Sequence, residues 1–292
     1  MTVDAGPRPD AGSSSAHALQ VADTDHAQRV GAAAWVDREL AFGAKVYYKG
    51  WLGDDGRVEK HWIAGPEGTR RTREALRSGQ LEFLDLPTLI DQCAADAEGF
   101  TAGLHRIQAE ELDRALADGW PSVAMTQESP RRELADDAEV AEFARQEGGF
   151  DALVARAPLR VLCQLTTAVE NEVHVFESLG VHHRHVLDVG WGVALSDGRW
   201  RLRGDLDAHV ARRFGGALAG ALREKATGVD LHIDLTEVGF VDVACAQLLV
   251  HAARAEPECR RIVLHDPPRL LRRLLDVLQR PTSLEVVDGE RP

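Results

Sequence analysis

The stretch LHIDLTEVGFVDVACAQLLVHAA, residues 231–253, decides the fold of the last third of this chain. Its apolar residues Leu231, Ile233 and Leu235 alternate with polar ones, which predicts a strand with one buried face. Asp242 then precedes a segment with helical spacing of apolar residues, so we expect this aspartate to cap a helix over 243–255. A strand that leads directly into a helix is typical of an α/β unit.

The flanking sequence continues this alternation over residues 189–292. Period-2 patterns on both sides of a Ser-Asp-Gly turn predict a hairpin, and a helix with leucines on its buried side is expected after Asp266-Pro267-Pro268. Short strands are predicted at 261–265 and 284–287. The expected order of this unit is β-β-α-β-α-β-α-β, with Asp207 as the cap of its first helix.

A second α/β unit is predicted over 22–188. It follows a tail at 1–21 that is rich in Gly, Pro, Ser, Ala and Asp, which we expect to be disordered. Strand patterns alternate here with helical patterns, and this alternation predicts a mostly parallel sheet covered by helices. The predicted strands are 45–49, 81–84, 122–125 and 160–165, and the predicted helices are about 86–97, 101–117 and 136–156.

Charge and composition exclude several classes of function. The 292 residues carry a net charge of −13, which disfavours binding to nucleic acid and to anionic membranes. After residue 188 the chain holds 15 basic and 15 acidic residues, so the acidic excess lies in the first unit. No apolar run reaches the roughly 20 residues that span a bilayer, and the first residues do not resemble a secretory signal. These features, with four scattered cysteines, predict a cytoplasmic protein.

Motifs for nucleotide, metal or nucleophilic chemistry are absent or weak. The sequence has no GxxxxGK[ST] and no GxGxxG, so we predict no cofactor. His182-His183-Arg184-His185 is rich in imidazole, but neighbouring residues of an extended segment cannot easily converge on one ion. We therefore interpret this segment as a solvated linker and predict no metal site. Cys163 lies in the apolar run RVLCQL, where a structural thiol is favoured over a reactive one.

Residues 189–292 resemble a STAS domain, the fold shared by anti-sigma factor antagonists and the tails of sulfate transporters. The resemblance is carried, in family order, by LRGDLDAHVARRF (202–214), LHIDLTEVGFVDVACAQLLVHAA (231–253) and VLHDPPRLLRRLLDVL (263–278). It implies a small sheet flanked by helices that functions by docking on a protein partner. Since the sequence shows no transporter segment, the signalling branch of the family is the better fit.

One difference from the signalling STAS domains concerns their phosphorylation switch. Such domains carry Ser or Thr at the start of the helix after the central strand, where a kinase phosphorylates the hydroxyl. Here the positions are Asp242, Val243, Ala244 and Cys245. Because Val and Ala have no hydroxyl, the resemblance implies a non-phosphorylatable STAS domain in which 242–245 remains a partner-docking region.

Residues 22 to about 188 resemble a MEDS domain, a sensory module described in methanogens and methylotrophs. The resemblance implies a degenerate RecA-like core without its phosphate loop, and a site that senses a small molecule. It makes His26, Glu128 and Cys163 the ligand-sensing candidates, and Glu128 could equally be a solvated loop residue. The matching stretches are His26 before a helix, GAKVYYKG (43–50), LEFLDL (81–86), the strand ending at Glu128, and FDALVARAPLRVLCQL (150–165).

The two resemblances together predict a cytoplasmic signal-transduction regulator that is not an enzyme. Its STAS domain would bind an anti-sigma factor or a related protein, and a small molecule at the first unit would alter that binding. One alternative is a small-molecule-binding protein or an enzyme that uses His26, Glu128 and Cys163 in one pocket. Another is a structural subunit of an assembly. A second copy of the chain is a further candidate partner, whereas nucleic acid and membranes are not expected.

Overall fold

The computed structural model describes residues 17–52, 57–65, 68–128, 136–167, 172–188, 190–224, 228–255 and 260–288. Its strands are β1 (His17–Ala22), β2 (Lys45–Gly50), β3 (Leu81–Asp85), β4 (Val123–Glu128), β5 (Leu159–Thr166), β6 (His185–Leu187), β7 (Trp191–Ser196), β8 (Arg199–Leu206), β9 (Leu231–Val241), β10 (Ile262–His265) and β11 (Leu284–Val287). Its α-helices are α1 (Asp25–Ala41), α2 (Arg70–Ser78), α3 (Leu86–Ala94), α4 (Phe100–Ala117), α5 (Asp137–Arg156), α6 (Glu172–Val181), α7 (Ala211–Glu224), α8 (Val243–Ala255) and α9 (Arg269–Val277).

The strands form one sheet in the order β11-β10-β9-β8-β7-β6-β1-β5-β4-β2-β3. Neighbouring strands are parallel except at β7, which is antiparallel to both β6 and β8. Helices α4 to α9 pack on one face, called face A, and α1 and α2 pack on the other, called face B. The predicted mixed α/β class with a mostly parallel sheet is thus confirmed. No helix of the described ranges has the length and apolar character to cross a membrane.

The C-terminal strands and helices follow the predicted order. The alternating burial of β9, with Leu231, Ile233 and Leu235 buried, agrees with its period-2 sequence. Asp207 Oδ1 accepts a hydrogen bond from the Val210 backbone N–H, so this aspartate closes the turn before α7. Local pattern and local capping thus account for this part of the fold.

Strand β1 occupies a segment that the sequence placed in a disordered tail. The structure differs from that prediction over 17–21, and residues 1–16 lie outside the described residues. β1 runs parallel to β5, with Leu19 opposite Cys163, and all six of its residues are buried. A strand covered on both faces shows no alternation, and its two polar residues are buried with hydrogen-bond partners. These two features explain why the pattern is difficult to see in the sequence.

The segment after α6 also differs from the sequence prediction. The interpretation of 182–185 as a solvated linker is wrong for its first two histidines, since His182 and His183 are only 2% and 8% exposed. They lie in the turn that connects α6 to β6. The α6 helix, which the sequence patterns did not indicate, brings this turn to face A, where His183 Nδ1 pairs with the Gly180 carbonyl oxygen at 2.9 Å.

The two predicted units share the sheet and a hydrophobic core. β6 pairs with β1 on one side and with β7 on the other, so it connects the strands of both units. Helix α6 packs closely on α7, where a Cβ atom on Gly220 would overlap the Gly180 carbonyl oxygen. One core cluster includes residues from Leu19 to Leu284. The domain boundary at residue 189 stays a prediction.

Candidate functional site

The turn from β9 into α8 holds the four candidate docking residues, 242–245. Asp242 Oδ1 accepts a hydrogen bond from the Cys245 backbone N–H at 2.9 Å, so Asp242 caps α8. The Asp242 backbone N–H donates to the Leu206 carbonyl oxygen at 2.9 Å, which joins the cap to the end of β8. The start of α8 is therefore fixed relative to the sheet.

The start of α8 presents apolar side chains to solvent. Val243 is 50% exposed, and Phe240, three residues earlier, is also exposed. We call these two residues the α8 surface. These two exposed apolar side chains, three positions apart in the chain, are the candidates here for a surface that another protein covers.

This turn contains no group that a serine kinase could modify. Val243 and Ala244 carry no hydroxyl, and Cys245 is buried. Burial, together with the negative charge of Asp242, raises the pKa of the Cys245 thiol to about 12. The thiol therefore stays protonated and inert at neutral pH.

Glu128 lies at the end of β4 on face B, among aromatic side chains. Its Oε1 accepts a hydrogen bond from the Tyr48 hydroxyl at 2.8 Å, and its Oε2 accepts one from the Trp51 backbone N–H at 3.1 Å. His61 Nε2 lies 3.4 Å from Oε1. Burial opposes ionisation of Glu128, but these hydrogen bonds and the charge of His61 outweigh it and lower the pKa of the carboxyl. Glu128 is thus a buried carboxylate and not a solvated loop residue.

Cys163 lies on β5 at face A, beside three side chains that the sequence patterns did not connect with it. Its Sγ donates to Glu147 Oε2 at 3.1 Å and lies 3.4 Å from His17 Nε2. His182 Nε2 is 3.1 Å from His17 Nε2. Burial first, and then the negative charge of Glu147, raise the pKa of the Cys163 thiol well above its ordinary value. The favoured interpretation of Cys163 as an unreactive thiol agrees with this environment.

The structure brings two of the three ligand-sensing candidates to one small pocket and leaves the third outside it. His26 is exposed near the start of α1. Glu128 pairs in register with Gln164, the neighbour of Cys163, and successive residues of a strand point to opposite faces. Glu128 and Cys163 therefore point to faces B and A, yet both border one small pocket at the ends of β4 and β5. His26 does not line this pocket, so the pocket does not contain all three groups.

A cavity of about 670 Å³ lies on face A beside β4, between α3, α4 and α5. Its volume is in the range of small-molecule sites, about 300–1,000 Å³. Apolar residues line most of it, and the α5 side contributes polar groups. The apolar lining includes Trp51, Leu86, Leu89, Ile90, Phe100 and Leu104, and the polar lining includes Glu139, Glu142 and Arg145.

Comparison with known families identifies the C-terminal part. A family model described as "Mlab, STAS domain" matches residues 193–280, which run from β7 to the end of α9. The chain therefore carries a C-terminal STAS domain, as the sequence resemblance predicted. No curated protein matches the chain. The MEDS resemblance of 22–188 stays a prediction.

Proposed function

We propose that this protein is a signalling regulator of the anti-sigma factor antagonist type, which acts by binding a protein partner. The match of residues 193–280 to a STAS model carries the proposal, since STAS domains commonly bind regulatory partners such as anti-sigma factors. The α8 surface is the place where we expect the partner to bind. The Asp242 cap beside it is hydrogen-bonded to α8 and to the end of β8, and the exposed side chains are apolar, as in the centre of an interface.

In this proposal partner binding is not controlled by phosphorylation at the start of α8. The residues there offer no hydroxyl, and the one thiol is buried. We place the control in the N-terminal unit, as the input side of the molecule. The shared sheet and the packing of α6 on α7 provide a physical connection between the two units.

We favour a protein-binding function over an enzymatic one. The enzyme alternative needs His26, Glu128 and Cys163 in one pocket, and His26 does not line the small pocket that the other two border. The protonated Cys163 thiol is also a poor nucleophile. The small-molecule-binding alternative stays a prediction for the cavity beside β4.

A charged residue at Val243 tests the proposal. We expect Val243→Asp in the full chain to weaken binding of the captured partner at least about tenfold, because an interfacial carboxylate would lose its hydration. The same substitution leaves α8 intact, since an acidic residue in the first turn of a helix is favourable. The partner is captured from the native cytoplasm, purified, and its Kd measured against each variant.

Val229→Asp is the matched control. Val229 is 46% exposed, close to the 50% of Val243, but it lies before the opposite end of β9. β9 is 11 residues long, so its two ends are roughly 30 Å apart. Unchanged binding by Val229→Asp and weakened binding by Val243→Asp support the α8 surface. Equal Kd values for both variants and the wild type would exclude it.

A further inference from the structure

Four side chains with metal-binding atoms converge on face A, from four separate parts of the fold. His17 comes from the start of β1, Glu147 from α5, Cys163 from β5 and His182 from the turn after α6. All four are buried, and their ligand atoms lie within 4.8 Å of one another. Buried imidazole, thiol and carboxylate groups that point at one another need a common partner or mutual hydrogen bonds.

Five of the six separations between these atoms fit one tetrahedral ion. His182 Nε2 lies 3.1 Å from His17 Nε2 and 3.2 Å from Glu147 Oε2. His17 Nε2 lies 3.4 Å from Cys163 Sγ and 3.6 Å from Glu147 Oε2, and Sγ lies 3.1 Å from that oxygen. Zinc bonds of about 2.0–2.3 Å give tetrahedral edges of about 3.3–3.7 Å. These five separations are thus at, or slightly inside, the edges that zinc requires, and the sixth, between His182 Nε2 and Cys163 Sγ, is at most 4.8 Å.

Both histidines are oriented by hydrogen bonds on their other ring nitrogen. His17 Nδ1 lies 3.0 Å from Asp151 Oδ1, and His182 Nδ1 lies 2.7 Å from the Ser178 carbonyl oxygen. An Nδ1–H that donates to these oxygens leaves a lone pair on Nε2, directed at the centre of the cluster. A carboxylate or carbonyl partner of this kind accompanies most metal-binding histidines.

We propose that His17, Glu147, Cys163 and His182 bind a divalent transition-metal ion, which by ligand chemistry is Zn²⁺. One thiolate and one carboxylate balance the two positive charges, and the two imidazoles are neutral, so the buried centre has no net charge. A thiolate with two imidazoles favours zinc over Mg²⁺ and Ca²⁺, which prefer oxygen ligands. Binding releases the Cys163 thiol proton, and any proton carried by the two Nε2 atoms, to water as the metal bonds form.

The predicted role of this ion is structural. Four protein ligands complete a tetrahedron and leave no open position for a substrate. The ion would join β1 and β5 to α5 and to the turn that leads into β6. This turn directly precedes the junction with the STAS domain, so we expect bound metal to stabilise the connection between the two units.

Cobalt provides the direct test, because Co²⁺ replaces Zn²⁺ in such sites and is coloured. The 292-residue chain is stripped of metal with a chelator and titrated with Co²⁺. We expect the visible bands of tetrahedral cobalt and the ultraviolet thiolate-to-cobalt band, both saturating at one ion per chain. Added Zn²⁺ should then displace Co²⁺ and abolish the visible and the ultraviolet bands. Elemental analysis should give one zinc per chain.

Two variants, each with a control, test the assignment of the ligands and of the residue that orients one of them. Cys163→Ser should lose the thiolate band, whereas Cys93→Ser, at a buried cysteine outside the cluster, should retain it. Asp151→Asn changes a half-exposed side chain that only orients His17, so it should fold and bind Zn²⁺ about 10–100-fold more weakly. Asp113→Asn, at an exposed carboxylate on α4, is its control and should bind like the wild type.

The expected thiolate band, its loss in Cys163→Ser and the weaker affinity of Asp151→Asn would support the site. No stoichiometric metal binding by folded wild-type protein would overturn the proposal. A cobalt spectrum that Cys163→Ser leaves unchanged would also overturn it. In either case the four residues form a hydrogen-bonded cluster without an ion. Circular dichroism of each variant shows that it has folded.

Discussion

Glu128 is a single buried carboxylate whose charge we expect to stabilise the folded state. It accepts hydrogen bonds from Tyr48 and Trp51, and its pKa is lowered below the ordinary 4.5. A carboxyl group with a lowered pKa in the folded state stabilises the protein above its ordinary pKa. That stabilisation is lost as the pH falls through the folded value. Glu128→Gln should therefore lower the free energy of unfolding by about 1–3 kcal/mol at neutral pH.

The difference between wild type and Glu128→Gln should narrow as the pH falls below 4.5, because the wild-type carboxyl then becomes protonated. Urea unfolding of both proteins over a pH series measures the difference in unfolding free energy and how that difference changes with pH. Glu110→Gln, at an exposed carboxylate on α4, is the control and should change stability by less than about 0.5 kcal/mol. If Glu128→Gln has a pH-independent effect, the carboxyl does not stabilise the fold through its charge.

At the scale of the elements, the contact between α6 and α7 depends on glycine. A Cβ atom on Gly220 would overlap the Gly180 carbonyl oxygen, which belongs to the backbone and cannot move aside as a side chain can. Alanine favours a helix over glycine by about 1 kcal/mol, so Gly220→Ala would stabilise an isolated α7. We expect it to destabilise the protein instead, by about 1–3 kcal/mol, because the two helices must separate. Thermal unfolding of the variant measures this change.

Gly215 lies in the same helix. Its substitution by alanine is a matched control, for which we expect the opposite change in stability. A Cβ atom there would lie 3.5 Å from Leu248 Cδ1, an ordinary contact. Gly215→Ala should therefore raise the stability by up to about 1 kcal/mol through helix propensity. If both substitutions stabilise the protein, α6 and α7 do not pack as closely as the structure indicates.

The arrangement of the elements also explains which structural features could be predicted from the sequence. The Asp242 cap and strand β9 follow from residues close together in the chain, so local pattern was enough to predict them. β1 was missed because its burial on both faces removes the alternation. The partners of Cys163 were missed for a different reason. His17 and His182 are 165 positions apart, and no local pattern connects residues that only the sheet brings together.

At the scale of the whole molecule, the strands of the two predicted units lie in one sheet. β6 is only three residues long, yet it pairs with β1 and with β7. The core cluster extends across this junction, with Val186 next to residues from both sides. A junction with shared strands and a shared core transmits strain more directly than a flexible linker does.

This continuity predicts that the two units unfold together. Opening either one would remove the strand partner of β6 and expose part of the common core, so both should lose structure in one transition. Hydrogen exchange measured by mass spectrometry at increasing urea compares peptides from β2 with peptides from β10, which lie far apart in the sheet. We expect both sets to lose protection over the same urea range. Gly220→Ala should shift both ranges equally, since its clash is at the junction. Loss of protection in β10 at clearly lower urea than in β2 would instead show that the chain divides into separate folding units near residue 189.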